Sequence, residues 1–132
     1  MAGRLDVGTA DAYGLGYRYM VGFPPTEPFW WGIGGDVQLM TAERDALDAT
    51  AVSLLGRVTS GHAPPVSIEL GVGAARGHGD FQAFGEAGCF LAIIYVELGY
   101  SYRLPLGPLD RPDWMSSHQF SLRFHLPVVT RR

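Results

Sequence analysis

Lysine and asparagine are both missing from the 132 residues, so every side-chain cation other than histidine is an arginine. Because lysine and asparagine codons are AT-rich, this bias is typical of a GC-rich genome and excludes no function. Charged residues make up 17% of the chain, below the roughly 25% usual in soluble domains. The formal net charge is −3 and there is no basic stripe, which disfavours a nucleic-acid partner.

Long apolar runs and cysteine pairs are also missing. The single cysteine, Cys89, excludes an internal disulfide framework and a cysteine-based metal site. The longest apolar run, residues 89–96, is far shorter than the ~20 residues of a membrane helix. Residues 1–7 contain no apolar segment, so we expect no signal peptide there. Two interpretations stay open, a soluble cytoplasmic or periplasmic protein and a mature or truncated form of an exported one.

Alternation of apolar and polar residues dominates the remainder of the chain, which is 47% hydrophobic and contains 18 glycines. Alternation with a period of two residues predicts β-strands. The short Pro- and Gly-rich links between these strands predict an all-β antiparallel meander. The stretch 81–106 leaves room for an eighth strand. We predict a weak strand at 4–9 and strong strands at 12–22, 29–41, 49–60, 65–76, 88–105 and 116–127.

The polar face of the predicted strands is unusually small, because it includes glycines such as Gly14, Gly16, Gly71 and Gly73. Glycine is a poor choice for a solvent-exposed strand face, whereas a narrow barrel lumen needs small residues. Charges of both signs share this face, so arginine–carboxylate pairs can satisfy them inside a lumen. The predicted lumen polar network is Arg18, Asp36, Arg57, Glu69, Glu97, Arg103 and Arg123.

The opposite face is apolar and bulky, too bulky for the interior of a small barrel. Aromatic residues near strand ends, such as Trp30, Trp31 and Tyr100, are typical of the interfacial girdles of membrane barrels. We therefore predict that this face contacts lipid. The predicted lipid-facing residues are Ile94, Val96, Leu98, Phe120, Leu122 and Phe124.

From residue 12 to residue 127 this pattern of alternation, glycine and aromatics resembles the small eight-stranded outer-membrane barrels of Gram-negative bacteria. The resemblance implies an up-and-down barrel in the bacterial outer membrane with a structural, adhesive or small-solute role. Three features depart from that family: there is no export signal, no aromatic residue at the end of the chain, and six or seven predicted strands instead of at least eight. We expect residues 1–132 to form one barrel domain of six to eight strands, and leave open that N-terminal strands are missing.

Histidine and serine positions predict neither a metal site nor an enzyme. His62 and His78 fall in different loops. His118 and His125 are seven residues apart on one predicted strand and so point to opposite faces. A hydrolase at the barrel rim would need the cluster 116–118, but neighbours in a strand do not face each other.

The sequence thus predicts an outer-membrane β-barrel with a structural or surface-interaction role, whose lumen is plugged by arginine–carboxylate pairs. We expect no cofactor and no metal; the expected partners are membrane lipid and, through self-association, other copies of the chain. The alternative is a soluble β-sandwich or calycin-like barrel that binds a small apolar ligand.

Overall fold

The computed structural model describes residues 2–8, 13–22, 28–43, 46–77, 79–107, 115 and 117–125. For residues 2–8, 13, 41–43, 46–48 and 125 only the backbone is described. The described chain forms eight strands: β1 (Ala2–Gly8), β2 (Tyr13–Gly22), β3 (Phe29–Glu43), β4 (Ala46–Ser60), β5 (Val66–Gly77), β6 (Asp80–Ile93), β7 (Val96–Leu106) and β8 (His118–His125).

Each strand pairs antiparallel with the next, and β1 also pairs with β8, so the strand order closes into a barrel. The predicted all-β antiparallel meander is therefore confirmed, with a strand count within the predicted range. The weak strand predicted at 4–9 corresponds to β1. Within the described part of the chain, no helix has the length and apolar character needed to cross a bilayer.

The prediction of one long strand over 88–105 is wrong. Two strands, β6 and β7, occupy this stretch, joined by a two-residue turn at Ile94 and Tyr95. Ile94 takes a φ of 56°, a conformation that is rare for a β-branched residue. Because the turn contains no Gly, Pro, Asn or Asp, the sequence offers none of the usual turn signals there. The eighth strand lies in the stretch that the sequence left open for it.

Alternation along each strand separates an interior face from an exterior face. On β8, Gln119, Ser121 and Arg123 are buried, whereas Phe120 and Phe124 are about half exposed. On β5, Ser67 and Glu69 are buried, whereas Val66, Ile68 and Leu70, which alternate with them, are exposed. The described interior therefore holds charged and hydroxyl groups, and the described exterior is mainly apolar.

Candidate functional site

Opposite charges face each other directly across four pairs of neighbouring strands. Because facing residues in an antiparallel pair lie on the same side of the sheet, each couple is brought together inside the barrel by the strand register. A slip of one residue would turn one partner outward and separate the charges. The couples are Arg18 with Asp36 (β2–β3), Arg57 with Glu69 (β4–β5), Glu86 with Arg103 (β6–β7) and Glu97 with Arg123 (β7–β8).

Glu69 is a shared carboxylate of the interior, because three arginines donate hydrogen bonds to it. Its Oε1 accepts from Nη1 of Arg57 at 3.3 Å and from Nη1 of Arg123 at 3.0 Å. Its Oε2 accepts from Nη1 of Arg18. Since these arginines come from β4, β8 and β2, one side chain on β5 links strands from around the barrel.

Two further carboxylates complete this group. Glu97 accepts from Nη1 of Arg123 at 2.8 Å and from Nη2 of Arg57, and Asp36 accepts from Nη2 of Arg18 at 3.1 Å. We call the connected set the ion-pair hub. Its members are Arg18, Asp36, Arg57, Glu69, Glu97 and Arg123.

The ion-pair hub contains three arginines and three carboxylates, so its formal charges balance. Five of its six side chains are fully buried, and only Arg57, with 13% of its side chain exposed, reaches toward one end of the barrel. Buried charges are tolerated only when they are paired and hydrogen-bonded. The arrangement therefore fills this part of the lumen with a neutral, cross-linked group of side chains.

Arg103, the seventh predicted member of the lumen network, belongs to a separate group. Its Nε donates to Glu86 at 2.8 Å and its Nη2 donates to Gln38 at 2.7 Å. The carboxylate partner of Arg103, Glu86, was not among the predicted lumen residues. Glu86 was missed because the sequence analysis began this strand at residue 88; the alternation of Gln82, Phe84 and Glu86 on one face was the available signal.

Apolar side chains surround the Arg103 group. We call this part of the lumen the apolar end; it consists of Met40, Ala49, Ala51, Ala75, Phe84 and Met115. The guanidinium of Arg103 lies 4.5 Å from the centre of the Phe84 ring, a cation–π geometry. Met115, from the connection between β7 and β8, is fully buried, so this connection contributes a side chain to the interior.

Two inward-facing aromatic rings on β6 explain why several interior positions are glycine. The Phe90 ring lies against Gly99, where an added Cβ would be 1.7 Å from a ring carbon, and the Phe84 ring lies 2.6 Å from the equivalent point at Gly73. The centre of the Phe90 ring also lies 3.6 Å from the Arg123 guanidinium. Glycine is thus required at these points by the close approach of a large neighbour.

The six residues predicted to face lipid lie on the outside of the barrel or at its turn. Leu98, Phe120 and Phe124 are about half exposed, and Val96 and Leu122 are partly exposed. Ile94 is 86% exposed, but it lies in the turn between β6 and β7 and does not belong to a strand face.

The described side chains show no arrangement typical of catalysis. His62 and His118 lie at opposite ends of the barrel, and Nδ1 of His118 is 2.6 Å from the Tyr100 hydroxyl on the outer face. Of the predicted serine cluster, Ser117 is buried next to the exposed His118. Within the described ranges, no group of three or more His, Cys, Asp or Glu is placed to hold a metal ion. Ser116, His78 and the His125 side chain lie outside the described residues.

No known protein family, curated protein or solved structure matches this chain.

Proposed function

We propose that the protein is a β-barrel embedded in the bacterial outer membrane, with a closed lumen and a structural or surface-interaction role. The observation that carries this proposal is the apolar exterior. Large exposed apolar patches are rare on soluble monomers and mark contact with lipid or another protein. Exposed side chains of this wall include Leu15, Tyr17, Tyr19, Ile33, Val37, Leu39, Val52, Leu54, Ile68, Leu70, Val72, Leu98, Leu104, Phe120 and Phe124.

The interior supports the same orientation. A soluble barrel or sandwich gains its stability by burying apolar residues, but here charged pairs are buried while many large apolar side chains, such as Leu70 and Phe120, remain exposed. A calycin-like protein would also need an apolar cavity for its ligand. The described interior is instead occupied by the ion-pair hub and the apolar end, which disfavours that alternative.

The filled lumen favours a structural or surface-interaction role over transport. Eight-stranded barrels are just wide enough for their interiors to be filled by side chains. The ion-pair hub links β2, β3, β4, β5, β7 and β8 through hydrogen bonds across the interior. A solute could pass only if several of these bonds broke together. The placement in the bacterial outer membrane rests on the resemblance to small barrels of that membrane.

The proposal is tested by placing an arginine at two depths of the same outer face. Leu70, near the middle of β5, is 64% exposed, and Val66, at the start of the same strand, faces the same side. Leu70→Arg should destabilise the barrel in vesicles by roughly 2–4 kcal/mol, because the residue lies near the bilayer midplane. Val66→Arg should cost roughly 0–1 kcal/mol, because the residue lies near the interface.

The measurement is urea unfolding in phospholipid vesicles, with heat-dependent mobility in SDS gels as a second assay of the folded barrel. A protein that is soluble and monomeric without detergent, and that tolerates both arginines equally, would overturn the membrane assignment. Equal and large losses for both variants would also contradict it, since the cost is expected to depend on depth.

A further inference from the structure

A pocket of about 360 Å³ lies at the end of the barrel where β4 ends and β5 begins. Its walls are Trp30 at the start of β3, Thr59 and Ser60 at the end of β4, and the loop 61–65. We call it the mouth pocket. Its size falls within the range of small-molecule sites.

Hydrogen bonds fix the walls of the mouth pocket before any ligand is present. The backbone N–H of Gly61 donates to the Pro28 carbonyl at 2.7 Å, which ties the loop after β4 to the segment that enters β3. Ser60 Oγ accepts from the backbone N–H of Val66 at 3.0 Å, which holds the two ends of the loop together. Because a preformed pocket loses little entropy on binding, such walls favour recognition of a small ligand.

The chemistry of the walls restricts the class of ligand. Trp30 offers a flat indole that is 56% exposed, with an N–H that can donate. Ser60 and His62 add a hydroxyl and an imidazole, and no carboxylate is found among the described residues that line the pocket. The nearest guanidinium, Arg57, donates its Nε to the hydroxyl of Thr59 at 3.1 Å, and its other nitrogens bond to Glu69, Glu97 and Ser67. Arg57 is therefore already paired and does not offer a free cation to an anionic ligand.

We propose that the mouth pocket binds one ring of a neutral saccharide. A sugar ring has an apolar C–H face that can lie on the Trp30 indole, and hydroxyl groups that can pair with Ser60 and His62. A purely apolar ring could lie on Trp30 but would make no hydrogen bond to Ser60 or His62. This inference concerns the end of the barrel and does not depend on the apolar outer wall, so the Leu70→Arg experiment and the experiment below can fail separately.

The test is saturation-transfer-difference NMR on the folded protein with glucose, galactose, N-acetylglucosamine and maltotriose as probes. Any detergent used must have a headgroup without sugar. We expect at least one of these saccharides to bind with a dissociation constant of roughly 1 mM, the range of a weak small-ligand contact. Glucuronate, indole and choline serve as anionic, aromatic and cationic comparisons and should bind more weakly.

Trp30→Ala should weaken saccharide binding at least tenfold, because it removes the stacking surface. Trp31→Ala is the matched control, since Trp31 is the next residue of β3 and points to the outer face; it should change binding less than twofold. Trp30→Phe keeps an aromatic ring at the site and should weaken saccharide binding by an intermediate factor. This variant tests the proposal if Trp30→Ala does not fold. Absence of binding by all four saccharides, stronger binding of indole or glucuronate, or equal loss in the two alanine variants would overturn the proposal.

Discussion

The two parts of the lumen are filled in different ways. The ion-pair hub is held together by charges from six strands that share carboxylate oxygens, whereas the apolar end places a single pair, Arg103 and Glu86, among methionine, alanine and phenylalanine side chains. A shared carboxylate cannot be lost without leaving several buried charges unsatisfied. An apolar neighbourhood, in contrast, can accept other apolar atoms in place of the pair. Buried charges with similar exposure can therefore differ widely in the free energy of unfolding that their loss would cost.

The largest expected effect is the loss of charge at the centre of the ion-pair hub. Glu69→Gln keeps the shape of the side chain but removes the negative charge to which three arginines donate. Breaking a buried ion pair from one side costs roughly 3–5 kcal/mol, and Glu69→Gln should fall in that range. The measurement is the free energy of unfolding by urea, followed by tryptophan fluorescence, in the medium in which the protein folds.

Glu86→Gln is the matched control for this prediction, because it makes the same chemical change in the apolar end. Glu86 accepts from Nε of Arg103, whereas Glu69 accepts from three arginines, so the replacement of Glu86 should cost less than that of Glu69. If Glu86→Gln were the more destabilising of the two, the proposed difference between the two parts of the lumen would be wrong.

A second, smaller effect is expected where an aromatic ring occupies the space of a missing side chain. Gly99→Ala would place a Cβ 1.7 Å from the Phe90 ring, so the ring and the Arg123 guanidinium stacked on it must shift. Overpacking of this kind costs roughly 1–3 kcal/mol. The same unfolding measurement should show a smaller cost for Gly99→Ala when Phe90→Ala is already present.

Gly85→Ala is the control for the glycine substitution. Gly85 lies on the outward face of β6. The atom nearest to a Cβ added at Gly85 would be a backbone oxygen 4.0 Å away. The change should leave the free energy of unfolding within about 0.5 kcal/mol of the parent, as for an ordinary surface substitution. Equal costs at Gly85 and Gly99, or a cost at Gly99 that persists without the Phe90 ring, would mean that the ring contact does not determine the choice of glycine.

The sequence predicted the hub residues better than their partners. Arginines and carboxylates alternate with bulky apolar residues on most strands, so a period of two was enough to place Arg18 or Glu69 on the same face as the glycines. Partner choice depends on the register between strands and on how far each side chain reaches across the lumen. For this reason Glu86, the carboxylate partner of Arg103, was not predicted.

The same rule is weaker for the strand β6, because large apolar residues lie on both of its faces, among them the exposed Phe81 and Leu91. Its inward face carries Phe84 and Phe90, and its outward face carries small residues such as Gly85 and Cys89. The apolar end is similarly hidden, because alanine and methionine on an inward face give no polar signal. In both cases a large side chain fills the space beside a particular glycine. The three-dimensional packing decides which side chain meets which glycine.

The smallest expected effect separates the two parts of the lumen most clearly. In the double variant Arg103→Met, Glu86→Met both charges are removed together, so neither is left buried without its partner. Surrounding side chains such as Phe84 are apolar, although Gln38 loses one hydrogen bond from Arg103. Replacing a buried ion pair by apolar residues of similar volume is often neutral or stabilising. The free energy of unfolding should therefore stay within about 1 kcal/mol of the parent, the scale of one neutral hydrogen bond.

The corresponding change in the ion-pair hub, Glu97→Met with Arg123→Met, should be clearly destabilising. Arg57 would lose an acceptor in Glu97, Glu69 would lose a donor in Arg123, and the Phe90 ring would lose its stacked guanidinium. The two double variants remove the same number of charges from the interior, so net charge cannot account for a difference between them. Arg57 also donates to Glu97 and Arg123 also donates to Glu69, so among the described side chains the hub variant leaves other charges with fewer partners. Equal unfolding free energies for the two double variants would mean that sharing of carboxylates does not distinguish the two parts of the lumen.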